Sequence, residues 1–252
     1  MDFLDAHQHI PLDQLRNTLI RLEDTIIFSL IERAQFAHNA CIYKPGRFPF
    51  TDGYTGSFLM YFFAQVERVH AKVRRYASPD EYPFTELVDE PQILPPLPYP
   101  QLLHPNTVNV NGRILSEYVS SIVPRLCEPG DDSNYGSSAT RDIECLQAIS
   151  RRIHYGKFIA EAKFRDPALH DTYIRLIQAQ DNKGLLDTLT VPSVEKALLL
   201  RLDAKASLYG QDVSNPTAAT KVDPRVVVAL YETFIIPLTK QVEVDYLLAR
   251  LT

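Results

Sequence analysis

Arg152 and Lys163 stand eleven residues apart in TRDIECLQAISRRIHYGKFIAEAKF (140–164), a stretch whose periodicity predicts one uninterrupted helix. At 3.6 residues per turn, eleven residues come within about 20° of three full turns, so two long cationic side chains share one azimuth, roughly 16 Å apart along the axis. Gly156 falls near 40° and leaves a gap between them, while Leu146, Ile149, Ile153, Ala160 and Phe164 occupy roughly 60–120°. Cations bordering an apolar face suit a small molecule with more than one anionic group. Thr239 and Glu243, at i and i+4 of a later helical segment, offer a hydroxyl and a carboxyl about a turn apart. Arg16 and Glu195 sit on two further helical segments. Taken singly, each has a bland alternative: a solvated helix face, an ion pair, or a cation with a buried stem beside a carboxylate.

Other chemistries find less support. There is no glycine-rich nucleotide loop, no G-x-S-x-G elbow, and no Ser, Cys or Lys with an activating neighbour. The turn Asp131-Asp132-Ser133-Asn134-Tyr135-Gly136, with Asp142 beyond it, mimics a calcium loop. Tyr135 takes a ligand position there, however, and Asp142 replaces the bidentate glutamate. His7 and His9 have no accompanying cluster and read as tail residues. No metal and no cofactor is expected.

The elements that must position these residues are helical. Leu15, Leu19, Leu22, Ile26 and Leu30 recur at steps of three and four and predict a helix from Leu12 to about Phe36. A second helix is expected over Ser57–Tyr76, and others over Asn111–Leu126, Ala168–Gln178 and Asn182–Leu189. Another opens at Pro192 and carries Glu195. Asp223-Pro224 is a capping carboxylate followed by a first-turn proline, starting a last helix that runs to about Leu251 and bends near Pro237. Eight of 18 prolines fall between Pro79 and Pro105. Residues 78–106 therefore read as an extended excursion, packed on the helices through Tyr82, Phe84, Ile93, Leu94, Leu97 and Tyr99. A loop covers 210–222. With period-two alternation nearly absent, the expected fold is all-α: a single-domain helical bundle over 1–252.

Composition narrows the setting. The 252 residues are 45% hydrophobic, enough for a substantial core, and 26 basic against 31 acidic residues give a net charge of −5 with no basic tail. Nucleic acid is a poor partner for such a chain. No run of 18 apolar residues and no signal peptide is visible, and three scattered cysteines fit a reduced compartment. No membrane association and a cytoplasmic location are expected.

Four segments in order, LRNTLIRLEDTIIFSLIERAQF (15–36), VRRYASPDEYPF (73–84), NYGSSATRDIECLQAISRRIHYGKFIAEAKFRD (134–166) and IIPLTKQVEVDYLLARL (235–251), closely resemble the eukaryotic all-helical chorismate mutases nearly end to end. The resemblance implies rearrangement of chorismate to prephenate, on the way to phenylalanine and tyrosine, with no cofactor and no covalent intermediate. It assigns Arg16, Arg152, Lys163, Glu195, Thr239 and Glu243 to the active site. Arg16 and Arg152 would hold the two carboxylates. Lys163 and Glu243 would meet the ether oxygen, Glu195 would accept from the ring hydroxyl, and Thr239 would support a carboxylate. A carboxylate beside a developing anion would repel it, so Glu243 is expected to act protonated.

The same resemblance implies a homodimer with a second site for free L-tyrosine as inhibitor or L-tryptophan as activator. Arg74 and Arg75 of one subunit would face the helix start of the other, at Asn134, Gly136, Ser137 and Thr140, whose free N–H groups would receive the effector carboxylate. On residue type alone, Arg74 and Arg75 are also explained as cations at a helix C-terminus. Two positions depart from the family pattern. Ser133 stands where fungal members tend to have a second asparagine, which bears on effector strength and preference, and Val191 stands where some members have an asparagine near the ring hydroxyl. The rival reading is a catalytically silent helical amino-acid sensor of the same fold.

Overall fold

The computed structural model describes residues 3–4, 10–87, 91–212, 214–215 and 220–251. His7 and His9, weighed above as ligands, lie outside them. Among the described residues there are helices and no strand: α1 (Leu12–Ala34), α2 (Phe58–Lys72), α3 (Asn111–Glu117), α4 (Val123–Leu126), α5 (Tyr135–His154), α6 (Gly156–Phe164), α7 (His170–Gln178), α8 (Asn182–Leu189), α9 (Pro192–Gly210), α10 (Pro224–Leu230) and α11 (Ile236–Leu248). No helix among them is long and apolar enough to cross a membrane.

The main core joins α1, α2, α3, α5, α9 and α10 through Ile26, Phe63, Ile114, Ile149, Leu202 and Val227. A second cluster lies where α6, α7, α8 and α11 meet. Where the C-terminal end of α1 meets α5, the buried Arg33 guanidinium donates to Asp142 at 2.6 Å, and the hydroxyls of Tyr118 and Tyr43 donate to the same carboxylate at 2.8 Å each. Asp142 thus faces the core, away from the 131–136 turn. Removing one partner of so buried a pair strands a charge, so the pair fixes how α5 lies on α1.

Several boundaries differ from expectation for definable reasons. The helix carrying Arg152 and Lys163, whose start the sequence marks at Gly136 and Ser137, begins at Tyr135 and is interrupted at Tyr155. There the Tyr155 carbonyl accepts from both Phe158 and Ile159, a tightened turn. Tyr155 stays in the right-handed helical region (φ −60°, ψ −18°), so α6 continues the sense of α5 and the azimuths survive. The second helix ends at Lys72, because Arg74 adopts φ +69° and returns its N–H to Ala71, a left-handed stop.

Near Pro237, where a bend was expected, the winding of the helix changes. A π-turn, Tyr231–Ile235, precedes that proline, and a second, Tyr118–Ile122, precedes Pro124. A proline forfeits its bond to the carbonyl four residues back and clashes with it. Those carbonyls belong to Thr233 and Ser120, each inside its π-turn, where the wider winding relieves the clash. The chain closes with a 3-10 turn, Ala249–Leu251, in place of the last α-helical turn.

The proline-rich excursion is packed only in part. Phe84 lies 4.9 Å from the Phe63 ring, and Glu67 accepts from the N–H groups of Phe84 and Thr85. Tyr82 stacks on His154 at 4.3 Å and receives a hydrogen bond from Lys157 at 3.1 Å. Leu102 is buried, whereas Ile93 and Leu94 are exposed, contrary to the expected packing. Consecutive prolines at 95 and 96 hold this part extended, and the Ile93 N–H ties it to the Lys72 carbonyl of α2.

Candidate active site

Five helices and the turn before α9 bring the six catalytic candidates to one cavity of about 130 Å³: Arg16 from α1, Arg152 from α5, Lys163 from α6, Glu195 from α9, and Thr239 and Glu243 from α11. Apolar walls come from Leu12, Leu19, Ile159 and Leu198. Val191, the last residue before α9, also lines the cavity.

Local sequence explains each placement. Pro192 opens α9 with no N–H to lose, which puts Glu195 in the first turn, where the helix dipole favours a carboxylate. Thr239 donates to the Ile235 carbonyl at 2.7 Å, at the end of the π-turn, and accepts from Arg152 Nη1 at 3.4 Å. Gly156 lets α6 press onto α11: an added Cβ would stand 3.0 Å from the Thr239 carbonyl oxygen and 3.2 Å from Glu243 Cγ. The contacts Gly156–Thr239 and Lys163–Glu243 advance together along both helices, so α6 and α11 run parallel.

The electrostatics separate two kinds of group. Lys163 Nζ is fixed by the Leu189 carbonyl at 2.7 Å and lies 3.5 Å from Glu243 Oε2. Burial pushes the Glu243 carboxyl above its ordinary pKa, against the opposing pull of Lys163, Arg152 and Lys240. Arg152 is buried over the Tyr231 ring at 6.0 Å, and its Nε has no hydrogen-bond partner. An unsatisfied buried donor costs about 1–3 kcal/mol, and an incoming carboxylate would recover it. Arg16, at the mouth, holds only an exposed contact to Asp13 at 3.1 Å.

Sequence reasoning missed Lys240. Its ammonium lies 2.6 Å from Glu195 Oε1, bridging α11 to α9 across the rim. The available signal was its position three residues before Glu243 on the same helix. Glu195 is therefore charge-paired, as its bland alternative had it, while still lining the cavity.

The effector candidates lie elsewhere. Asn134, Gly136, Ser137 and Thr140 are exposed at the start of α5. Arg74 donates to the Pro95 carbonyl, and its Nε is buried without a partner. Arg75 donates to Glu81 at 3.2 Å. Next to it, Tyr76 accepts from Gln147, eleven residues beyond Gly136 on α5 and so roughly 16 Å along its axis. One chain by itself does not bring the two halves together. Ser133 holds φ +63°, a conformation asparagine adopts more readily than serine.

An all-helical scaffold around a pocket of four cations, two carboxyls and a hydroxyl defines a class: a helical enzyme that grips and polarises a small polyanion. The family model described as chorismate mutase type II matches residues 134–244. A chorismate mutase from Schizosaccharomyces pombe is 49% identical over 250 residues, covering 98% of each chain. The Candida albicans Aro7p chorismate mutase, solved in complex with L-Trp, superposes with a TM-score of 0.94 at 45% identity, covering 100% of this chain and 96% of that one. AtCM1 with tyrosine bound in its allosteric site gives 0.87 at 46% identity, covering 98% and 99%. The chain belongs to the type II chorismate mutase family.

Proposed function

We propose that this pocket converts chorismate to prephenate with the six residues in the roles the resemblance implies. Chorismate is a dianion whose enolpyruvyl ether must fold over its ring before the ether C–O bond breaks and the new C–C bond forms. Arg16 and Arg152, the latter steadied by Thr239, take the two carboxylates and hold that folded conformer, converting a rare geometry into the bound one. Negative charge grows on the ether oxygen as the bond breaks. Lys163 and a protonated Glu243 donate to it, preorganised within a largely buried site. Glu195 meets the ring hydroxyl, with Lys240 holding its carboxylate in place. The observation that carries the reading is the buried, partnerless Nε of Arg152 beside the Lys163–Glu243 pair.

The whole chain acts as one domain and works as a cytosolic homodimer. Across the dimer, Arg74 and Arg75 meet Asn134, Gly136, Ser137 and Thr140 of the partner, and L-tyrosine and L-tryptophan bind there as inhibitor and activator. The L-Trp complex of the Candida relative and the tyrosine complex of AtCM1 support this regulation. One assay tests both sites: the ultraviolet absorbance of chorismate followed with purified protein, alone and with each amino acid. Loss of absorbance that tyrosine slows and tryptophan speeds is expected. Undiminished chorismate would mean a silent sensor, and turnover indifferent to both amino acids would remove the regulatory site.

A further inference from the structure

Catalysis at the ether oxygen needs Lys163 and Glu243 in fixed relation, yet they sit on two separate parallel helices and touch at a loose 3.5 Å. Apolar packing between α6 and α11 is non-directional and tolerates sliding. At one end Gly156 seats on Thr239. At the other end, the Glu161 carboxylate joins α6 both to α11 and to the 3-10 turn after it.

Glu161 is 3% exposed, two residues before Lys163, and lies apart from the pocket-lining residues. Tyr246, three residues after Glu243 and fully buried, donates to its Oε2 at 2.6 Å, and Arg250 Nε donates to the same oxygen at 2.9 Å. Arg165 Nε takes Oε1 at 2.6 Å. Burial raises the Glu161 pKa, but the bonds from Tyr246, Arg250 and Arg165 outweigh it and hold the group below its ordinary value, as a carboxylate. The Tyr246 hydroxyl also accepts from the His104 backbone N–H at 2.9 Å, which ties the proline-rich excursion to the same point. Charge-assisted bonds this short fix direction as well as distance.

We infer that Glu161, with Tyr246 and Arg250, is a positioning network that sets the register of α6 on α11 and thereby the spacing of Lys163 to Glu243. None of the three lines the pocket. The inference rests on the assignment of Lys163 and Glu243 to the ether oxygen. A register error of about 1 Å at such a pair is enough to cost up to about 100-fold in rate. Because these two groups act mainly in the transition state, the loss falls on kcat and leaves KM, governed by Arg16 and Arg152, nearly untouched.

Tyr246→Phe removes one hydroxyl and keeps the ring. With active sites counted by binding of a dicarboxylate transition-state analogue, kcat should fall about 10- to 100-fold with KM within about threefold of the parent. The alkaline limb of the kcat profile should also move to higher pH, since Lys163 drawn away no longer holds the Glu243 pKa down. Loss of folded protein alone would move neither the site-normalised kcat nor the limb. The inference stands if both change and is overturned if either stays. If Tyr246→Phe does not fold, Arg250→Gln carries the same criteria with a fall of about 3- to 10-fold. Should the parent show no alkaline limb, the protonated-Glu243 reading fails separately, and the register is then judged on the kcat against KM split.

Discussion

A carboxylate is a poor neighbour for a bond gaining negative charge, whereas a carboxylic acid is a good one, and burial gives Glu243 the second form more of the time. Its folded pKa is raised, so the protonated form persists at lower pH and is lost as pH climbs through that value; activity should fall in the same direction. Glu243→Gln keeps an N–H donor and cannot titrate. Its kcat should be about tenfold lower on the plateau with the alkaline limb flattened, measured as kcat against pH. A variant that still loses activity at high pH like the parent would exclude Glu243 as the titrating group. At this scale much was legible. Helical spacing put Arg152 with Lys163 and Thr239 with Glu243 on shared faces, the family resemblance joined the two pairs into one site, and all four line the cavity. Lys240 and Glu161 were not, since each is defined by a partner on a distant segment: Glu195 for one, Tyr246 and Arg250 for the other.

Among the elements, the decisive fit is α6 against α11. Gly156→Ala would set a methyl group 3.0 Å from a backbone oxygen and 3.1 Å from Thr239 Cγ2, so the helices must part by a few tenths of an ångström. Overpacking costs typically 1–3 kcal/mol, and about 1 kcal/mol of helix propensity returns with alanine. A net destabilisation of about 1 kcal/mol in urea is expected, together with a disproportionate fall in kcat of about tenfold, because the displaced groups are Thr239 and Glu243. Sequence pattern located nearly every helix but misjudged how they end. The stop at Arg74 depends on a left-handed residue that is not glycine, and the two π-turns depend on how Pro124 and Pro237 are accommodated rather than on periodicity.

Across the whole molecule, the excursion between α2 and α3 is pinned to the α5–α6 junction by a neutral histidine. The Val110 N–H can only donate, so His154 Nε2 accepts it at 3.1 Å, and Nδ1–H donates to the Ser150 carbonyl at 2.9 Å. Burial, and to a lesser degree Lys157, lowers the His154 pKa from 6.5 to about 4. The unfolded chain therefore binds this proton first, and stability should decline as pH falls from 6.5 toward 4, by roughly 3 kcal/mol at most. Thermal midpoints across that range should drop less steeply in His154→Gln than in the parent; parallel slopes would assign the loss to other groups. One further consequence lies in where the pocket's residues come from. Arg16 belongs to α1 and Glu243 to α11, so the cavity, like the core that joins Ile26 to Val242, draws on both ends of the described chain. Contacts so distant along the chain form late in folding. Turnover should therefore return in a refolding chain together with the core that joins α1 to α11, and not while its separate helices form.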